Sequence, residues 1–154
     1  MSAIDARLKE LGITLPAAAA PVANYVPCHI IGDLLFVSGQ VSRTPDGKVM
    51  AGKLGAGVSV ADGQVAARSC ALSILAQAKA ALGSLDRIVQ VVKLTGFVNA
   101  APTFTDHPQV VNGCSDCLVQ VLGDKGRHTR SAVGMGSLPL DAAVEVEAII
   151  QIRK

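Results

Sequence analysis

The chain has 154 residues, half of them hydrophobic and 17% charged, which excludes a disordered segment and suffices for one domain with its own core. Aromatics are only 3%, so that core must come from Val, Ile, Leu and Ala, and so heavy an apolar load on a small surface favours burial between subunits. The net charge of +2 is spread without a concentrated basic patch, so neither charge nor aromatic stacking supports a nucleic-acid partner.

The chain opens with MSAIDARLKELG, where Ile4, Leu8 and Leu11 recur at helical spacing and Gly12 closes a short amphipathic helix within residues 1–13. This opening has no basic region followed by an apolar core, so a signal peptide is not expected and a cytoplasmic location is the default. Residues 14–24 read as an extended connector, because Pro16 and Pro21 oppose helix despite the alanines. Its apolar stretch LPAAAAPVA is too short to span a bilayer, and no membrane association is expected.

Next comes a predicted hairpin, Tyr25–Ile31 and Leu34–Val41 around a Gly32-Asp33 turn. VMAGKLG continues as a third, edge-like strand after the turn RTPDGK. Asp62 is the expected N-cap of a long helix whose Val65, Leu72, Leu75 and Leu82 recur near a seven-residue spacing, and Gly83 ends it. A strand follows from Ile88 to Val98. A second helix is capped by Asp106, carries Pro108 in its first turn and stops at Gly123, with Gly113 as a weak point inside it. Two strands joined by a Leu-Pro turn complete the chain. One domain, 1–154, of α+β class results: a sheet covered on one face by two helices. Nothing in the chain is left to cover the other face, so self-association through it is expected.

Four cysteines occur, at 28, 70, 114 and 117. The CSDC pair has CxxC spacing, but no second pair or spaced histidines accompany it, and it falls about two turns inside a helix rather than at a helix start. Buried structural thiols are expected there, not a zinc or redox site.

Three stretches together resemble the RidA (YjgF/YER/UK) family of reactive-intermediate deaminases: NYVPCHIIGDLLFVSGQV, GFVNAAPTF, and TRSAVGMGSLPLDAAVEVEAIIQI. The specific element is SGQ at 38–40 combined with R-S-x-V-x(4)-LP-x(4)-VEVEA from Arg130, and the match runs from about Tyr25 to the C-terminus. The N-terminal helix and NGCSD at 112–116 look like a longer branch of the family, whose members often carry the label endoribonuclease L-PSP or translation inhibitor. The resemblance implies a chorismate-mutase-like sandwich of one mixed sheet and two helices. It also implies a homotrimer with a barrel-like centre, and hydrolysis of 2-imino acids to 2-keto acids and ammonia in clefts between subunits. No metal or organic cofactor is implied. Carried over by position, the carboxylate-binding arginine is Arg130 and the strand glutamate of the cleft is Glu145. The early tyrosine is Tyr25, and the pocket-lining pair is Ser38 and Gly39. Two positions depart: Ala132 stands where the family has cysteine, and Pro102 replaces a frequent loop asparagine.

The residue chemistry suits this assignment. A planar guanidinium grips a carboxylate through two parallel donors, so Arg130 would hold a 2-imino acid with its C=N carbon toward water. Glu145 would orient that water or accept its proton. The plainer readings are a strand-end arginine paired with a surface carboxylate, a glutamate serving as acceptor for a neighbouring subunit, and Tyr25 as core or interface packing. Ser38 has no recognisable base partner and is not read as a nucleophile. A trimer that binds small 2-imino or 2-keto carboxylates without turnover is the alternative; an endoribonuclease is more remote, because no histidine pair or basic groove is evident.

Overall fold

In the computed structural model, residues 1–20 and 23–154 are described; the expected connector's Pro21 lies outside them. Ser2 caps the first helix, α1 (Ala3–Glu10), by accepting from the Asp5 amide. A five-stranded sheet is built from β1 (Cys28–Ile31), β2 (Leu34–Val41), β5 (Ile88–Asn99), β6 (Thr129–Met135) and β7 (Val144–Ile152), with spatial order β1-β2-β7-β5-β6. The β5–β6 pair is parallel, because α3 (His107–Leu122) crosses between them, and the other pairs are antiparallel. The sheet is therefore mixed, as expected.

Three boundaries differ from the sequence reading. The first strand begins only at Cys28, leaving Tyr25 outside it and half-exposed, because Pro27 has no N–H to give the ladder. The VMAGKLG segment does not join the main sheet. Its Lys53–Leu54 (β3) pairs in parallel with Gly57–Val58 (β4) in a separate two-stranded piece, and Gly52, Gly55 and Gly57 all take positive φ there. Ser59, not Asp62, caps helix α2 (Val60–Leu82): its side chain accepts from the Asp62 amide, which puts Asp62 in the first turn.

Helix α2 buries Leu75 and Leu82 of its expected stripe and packs Leu72 against the core, but not Val65. Val65 is 56% exposed, while Ala66, Ala67, Cys70, Ala71, Ile74, Leu75, Ala78 and Leu82 are buried in the core. Small residues let α2 lie close to its neighbours. The same holds at Gly113 of α3, where a Cβ would stand 2.1 Å from the Gln64 carbonyl oxygen of α2, so the helix runs unbroken through a glycine that the contact requires. By length and composition α2 could cross a membrane, but 56% of its apolar window is buried inside the fold.

Strand alternation sorts the two faces of the sheet. Leu35, Val37, Leu94, Val98, Val144, Val146 and Ile150 point toward the helices and are buried. Phe36, Lys93, Thr95, Val133, Glu145, Glu147 and Ile149 line the opposite face, which no element of the described chain covers.

Candidate functional site

The SGQ stretch sits where β2 bulges. Its register against β7 shifts between Val37 and Gln40, so Ser38 and Gly39 leave the regular ladder. The Ser38 hydroxyl donates to the Val26 carbonyl at 2.7 Å and the Ser38 amide to the Pro27 carbonyl at 2.9 Å, which ties the approach from Tyr25 to the bulge. Gly39 is there for space: a Cβ at this position would lie 2.2 Å from Glu145 Oε1. The Glu145 carboxylate therefore rests on a bare stretch of β2 backbone. It is half-buried, and its carboxyl is held above the usual glutamate range first by burial and then by the charge of Glu147. Tyr25, Gly39 and Glu145 share a cavity of about 1070 Å³ with Arg43, Met50 and Leu140.

One wall of this cavity is strained. Leu140 and Asp141, in the 3-10 turn Pro139–Asp141, have φ of 60° and 56°, a conformation that non-glycine residues seldom adopt. A buried polar group holds the turn: Asn99 Nδ2 donates to Asp141 Oδ1 at 3.1 Å, and Lys53 Nζ donates to Asn99 Oδ1 at 2.8 Å. The result is an apolar Leu140 side chain held 67% exposed at the cavity. Sequence reasoning passed over Leu140, Asn99 and Lys53. Its only available signal was the Leu-Pro turn, which carries no sign of left-handed backbone.

Arg130 lies elsewhere. It is on β6, the far edge strand, paired in register with the buried Leu94, and so faces the helices rather than the open side. Its Nη1 donates to Asn112 Oδ1 at 2.8 Å and to Ser115 Oγ at 3.1 Å, and its Nη2 donates to the Pro108 carbonyl at 3.3 Å. Within one chain the structure thus brings Tyr25, Gly39 and Glu145 to one cavity, with Ser38 beside them on the bulge but not lining it, and Arg130 apart. Strand β5 separates Arg130 from Glu145, and the two side chains belong to opposite faces of the sheet.

Cys114 and Cys117 are free thiols on the buried side of α3, and burial raises both. Among the described residues, no group of three His, Cys, Asp or Glu side chains is placed to hold a metal ion.

A helix-backed mixed sheet with an open second face, a glutamate seated over a bulge glycine and an arginine on the far edge strand define a class of α+β protein with a divided polar site. The chain belongs to the family described as "YjgF/chorismate mutase-like, putative endoribonuclease", whose model matches residues 5–151. It is 51% identical to protein TCP17 of Trypanosoma cruzi, over 97% of this chain and 94% of that one. A solved structure of unknown function from Agrobacterium tumefaciens is 50% identical and superimposes with a TM-score of 0.90, covering 97% of this chain and 93% of that one. Escherichia coli TdcF with bound serine is more distant: 27% identity, 91% and 94% coverage, and a TM-score of 0.60.

Proposed function

We propose that the protein hydrolyses small 2-imino acids to 2-keto acids and ammonia, in clefts formed between copies of the chain in a homotrimer. The observation that carries this reading is the division of the site. One chain presents Glu145 over Gly39 at one place and Arg130 at another, and each is half of what the reaction needs. The open sheet face, with Phe36 and Val133 each more than a third exposed, supplies a surface through which copies would associate, and the position of Arg130 on the edge strand β6 would let it approach a neighbour's Glu145 around the rim of the sheet.

The chemistry follows from the residues. Arg130 binds the substrate carboxylate and fixes the position of the C=N carbon. Water attacks that carbon and gives a carbinolamine, with the proton passing from water through the Glu145 carboxylate to the nitrogen. Collapse releases ammonia and leaves the keto acid. A carboxyl raised by burial is a better proton acceptor near neutrality than an ordinary glutamate. Serine bound to TdcF, an amino acid with the same α-carboxylate, supports a substrate of this size and charge.

A coupled assay for keto acid release from freshly generated 2-iminopropanoate and 2-iminobutanoate tests the reaction. Light scattering tests the assembly: a mass three times the 15.7 kDa of the chain is expected, and a stable monomer at micromolar concentration would remove the intersubunit cleft. Ala132 and Pro102, standing where the family has cysteine and a frequent asparagine, favour a second reading, a trimer that binds small carboxylates without turnover. Calorimetric binding of pyruvate together with no keto acid release would establish it.

A further inference from the structure

We propose that Ser115 and His128 are positioning residues that fix the rotation of the Arg130 guanidinium, so that one of its edges is offered to a carboxylate. The inference rests on the reading of Arg130 as the carboxylate clamp, and it adds residues which that reading does not include.

The hydrogen-bond chain has a direction. His128 Nδ1 lies 2.6 Å from the Gly126 carbonyl oxygen, which can only accept, so Nδ1 carries the proton. His128 Nε2 is then an acceptor, and the Ser115 hydroxyl, 2.9 Å away, donates to it. With its hydrogen committed to His128, Ser115 Oγ turns a lone pair toward Arg130 Nη1, which donates to it at 3.1 Å. Asn112 Oδ1 takes the other Nη1 hydrogen, and the Pro108 carbonyl takes one from Nη2. Three of the five guanidinium donors are thereby occupied. The Nε–H and the second Nη2 hydrogen have no acceptor among the described residues, and Nε and Nη2 share one edge of the planar group. That edge is the fork that grips a carboxylate bidentately.

Ser115 and His128 also have the spacing of a nucleophile and its base. The 1070 Å³ cavity, however, is lined by other elements, and the Ser115 lone pair is already engaged by Arg130. The serine is a holder of the arginine.

Helix placement makes the test clean, since alanine at position 115 of α3 favours helix and leaves the fold intact. In Ser115→Ala, KM for the imine and the dissociation constant for pyruvate should rise about ten-fold, the loss expected for one hydrogen bond to a charged group, with kcat within about two-fold. Ser115→Thr keeps the hydroxyl and should restore both. The Arg130 Nε–H resonance in nitrogen-15 NMR should shift or broaden in Ser115→Ala and return in Ser115→Thr. Unchanged pyruvate affinity in Ser115→Ala would overturn the inference. So would a loss that threonine does not rescue and that tracks a lowered melting temperature, which marks a merely structural serine. If the wild type neither releases keto acid nor binds pyruvate, the deaminase reading fails. The NMR comparison then still decides the positioning: an Arg130 resonance identical in wild type and Ser115→Ala overturns it, and a shifted one sustains it.

Discussion

The surroundings of Arg130 and Glu145 differ in kind. Arg130 is engaged by three acceptors drawn from one helix, which leaves donors on Nε and Nη2, the two nitrogens of one edge. Glu145 lies against backbone without a side chain beneath it, and both influences on its carboxyl, burial and Glu147, work against its charge. The cation is held in one orientation, while burial and Glu147 both disfavour the charge of the carboxylate. A binding group benefits from a fixed orientation, because the orientation need not be acquired when ligand arrives. A proton-transfer group benefits from a weakly stabilised charge, because it must both take up and release a proton. The two environments match the two tasks proposed for these residues.

The contrast can be broken most severely at the arginine. Arg130→Lys keeps the charge but replaces a fixed fork by one ammonium, whose three donors would leave none for a carboxylate if they served Asn112, Ser115 and the Pro108 carbonyl. Deamination should nearly vanish. Binding of pyruvate should weaken ten- to a hundred-fold, as expected if a charge-assisted hydrogen bond contributes about 1.5–3 kcal/mol. Titration beside a thermal melt checks this. Unchanged affinity with a lowered melting temperature would reassign Arg130 to the scaffold.

The next test acts on the glutamate without altering it. In Gly39→Ala the new Cβ would stand 2.2 Å from Glu145 Oε1, so the carboxylate must swing away while the bulge stays in place. The outcome expected is at least a ten-fold fall in kcat with pyruvate affinity unchanged, since Arg130 is untouched, and a melting temperature within a few degrees of wild type. Wild-type kcat would show that the position of the Glu145 carboxylate does not matter to turnover.

Much of the frame is legible in the sequence. The strands Ile88–Asn99 and Val144–Ile152 declare themselves by β-branched density and alternation, and the alternation placed Glu145 opposite Val144 and Val146, as the sheet has it. The second helix declares itself by Pro108 and Gly123 at its ends. What failed did so for definite reasons. Alanines make up half of the buried stripe of α2, beside Leu75 and Leu82, and a search for large apolar residues overlooks them and takes in the exposed Val65 instead. The expected third strand dissolved because its glycines take positive φ and leave the sheet. The face on which Arg130 lies was hidden, because it depends on the parallel register of β6 with β5, which only tertiary packing decides. Asn112, Gly113 and Ser115 stood out as a branch-specific stretch, but their reason was not visible: the glycine admits the Gln64 carbonyl, and the other two hold Arg130.

The smallest expected effect is also the one whose sign is most informative. Glu145 has its carboxyl raised above the usual value of 4.5 in the folded chain, so folding disfavours its ionisation. A raised folded value favours the folded state fully below the unfolded value, and that contribution is lost as pH rises through the folded value. At pH 7 the ionised Glu145 is therefore a net cost to the fold. Glu145→Gln removes the charge with almost no change in shape, so its melting temperature should exceed wild type by a small margin at pH 7. The margin should shrink as pH falls and disappear below about 4.5, where both proteins are neutral at this position. Deamination should be lost at every pH, because glutamine cannot accept the proton. Melts of the assembled protein across this range check the prediction. A lower melting temperature for Glu145→Gln at pH 7 would mean that assembly brings a donor to the carboxylate; the contrast with Arg130 would then be one of a single chain, and the glutamate would be an intersubunit acceptor.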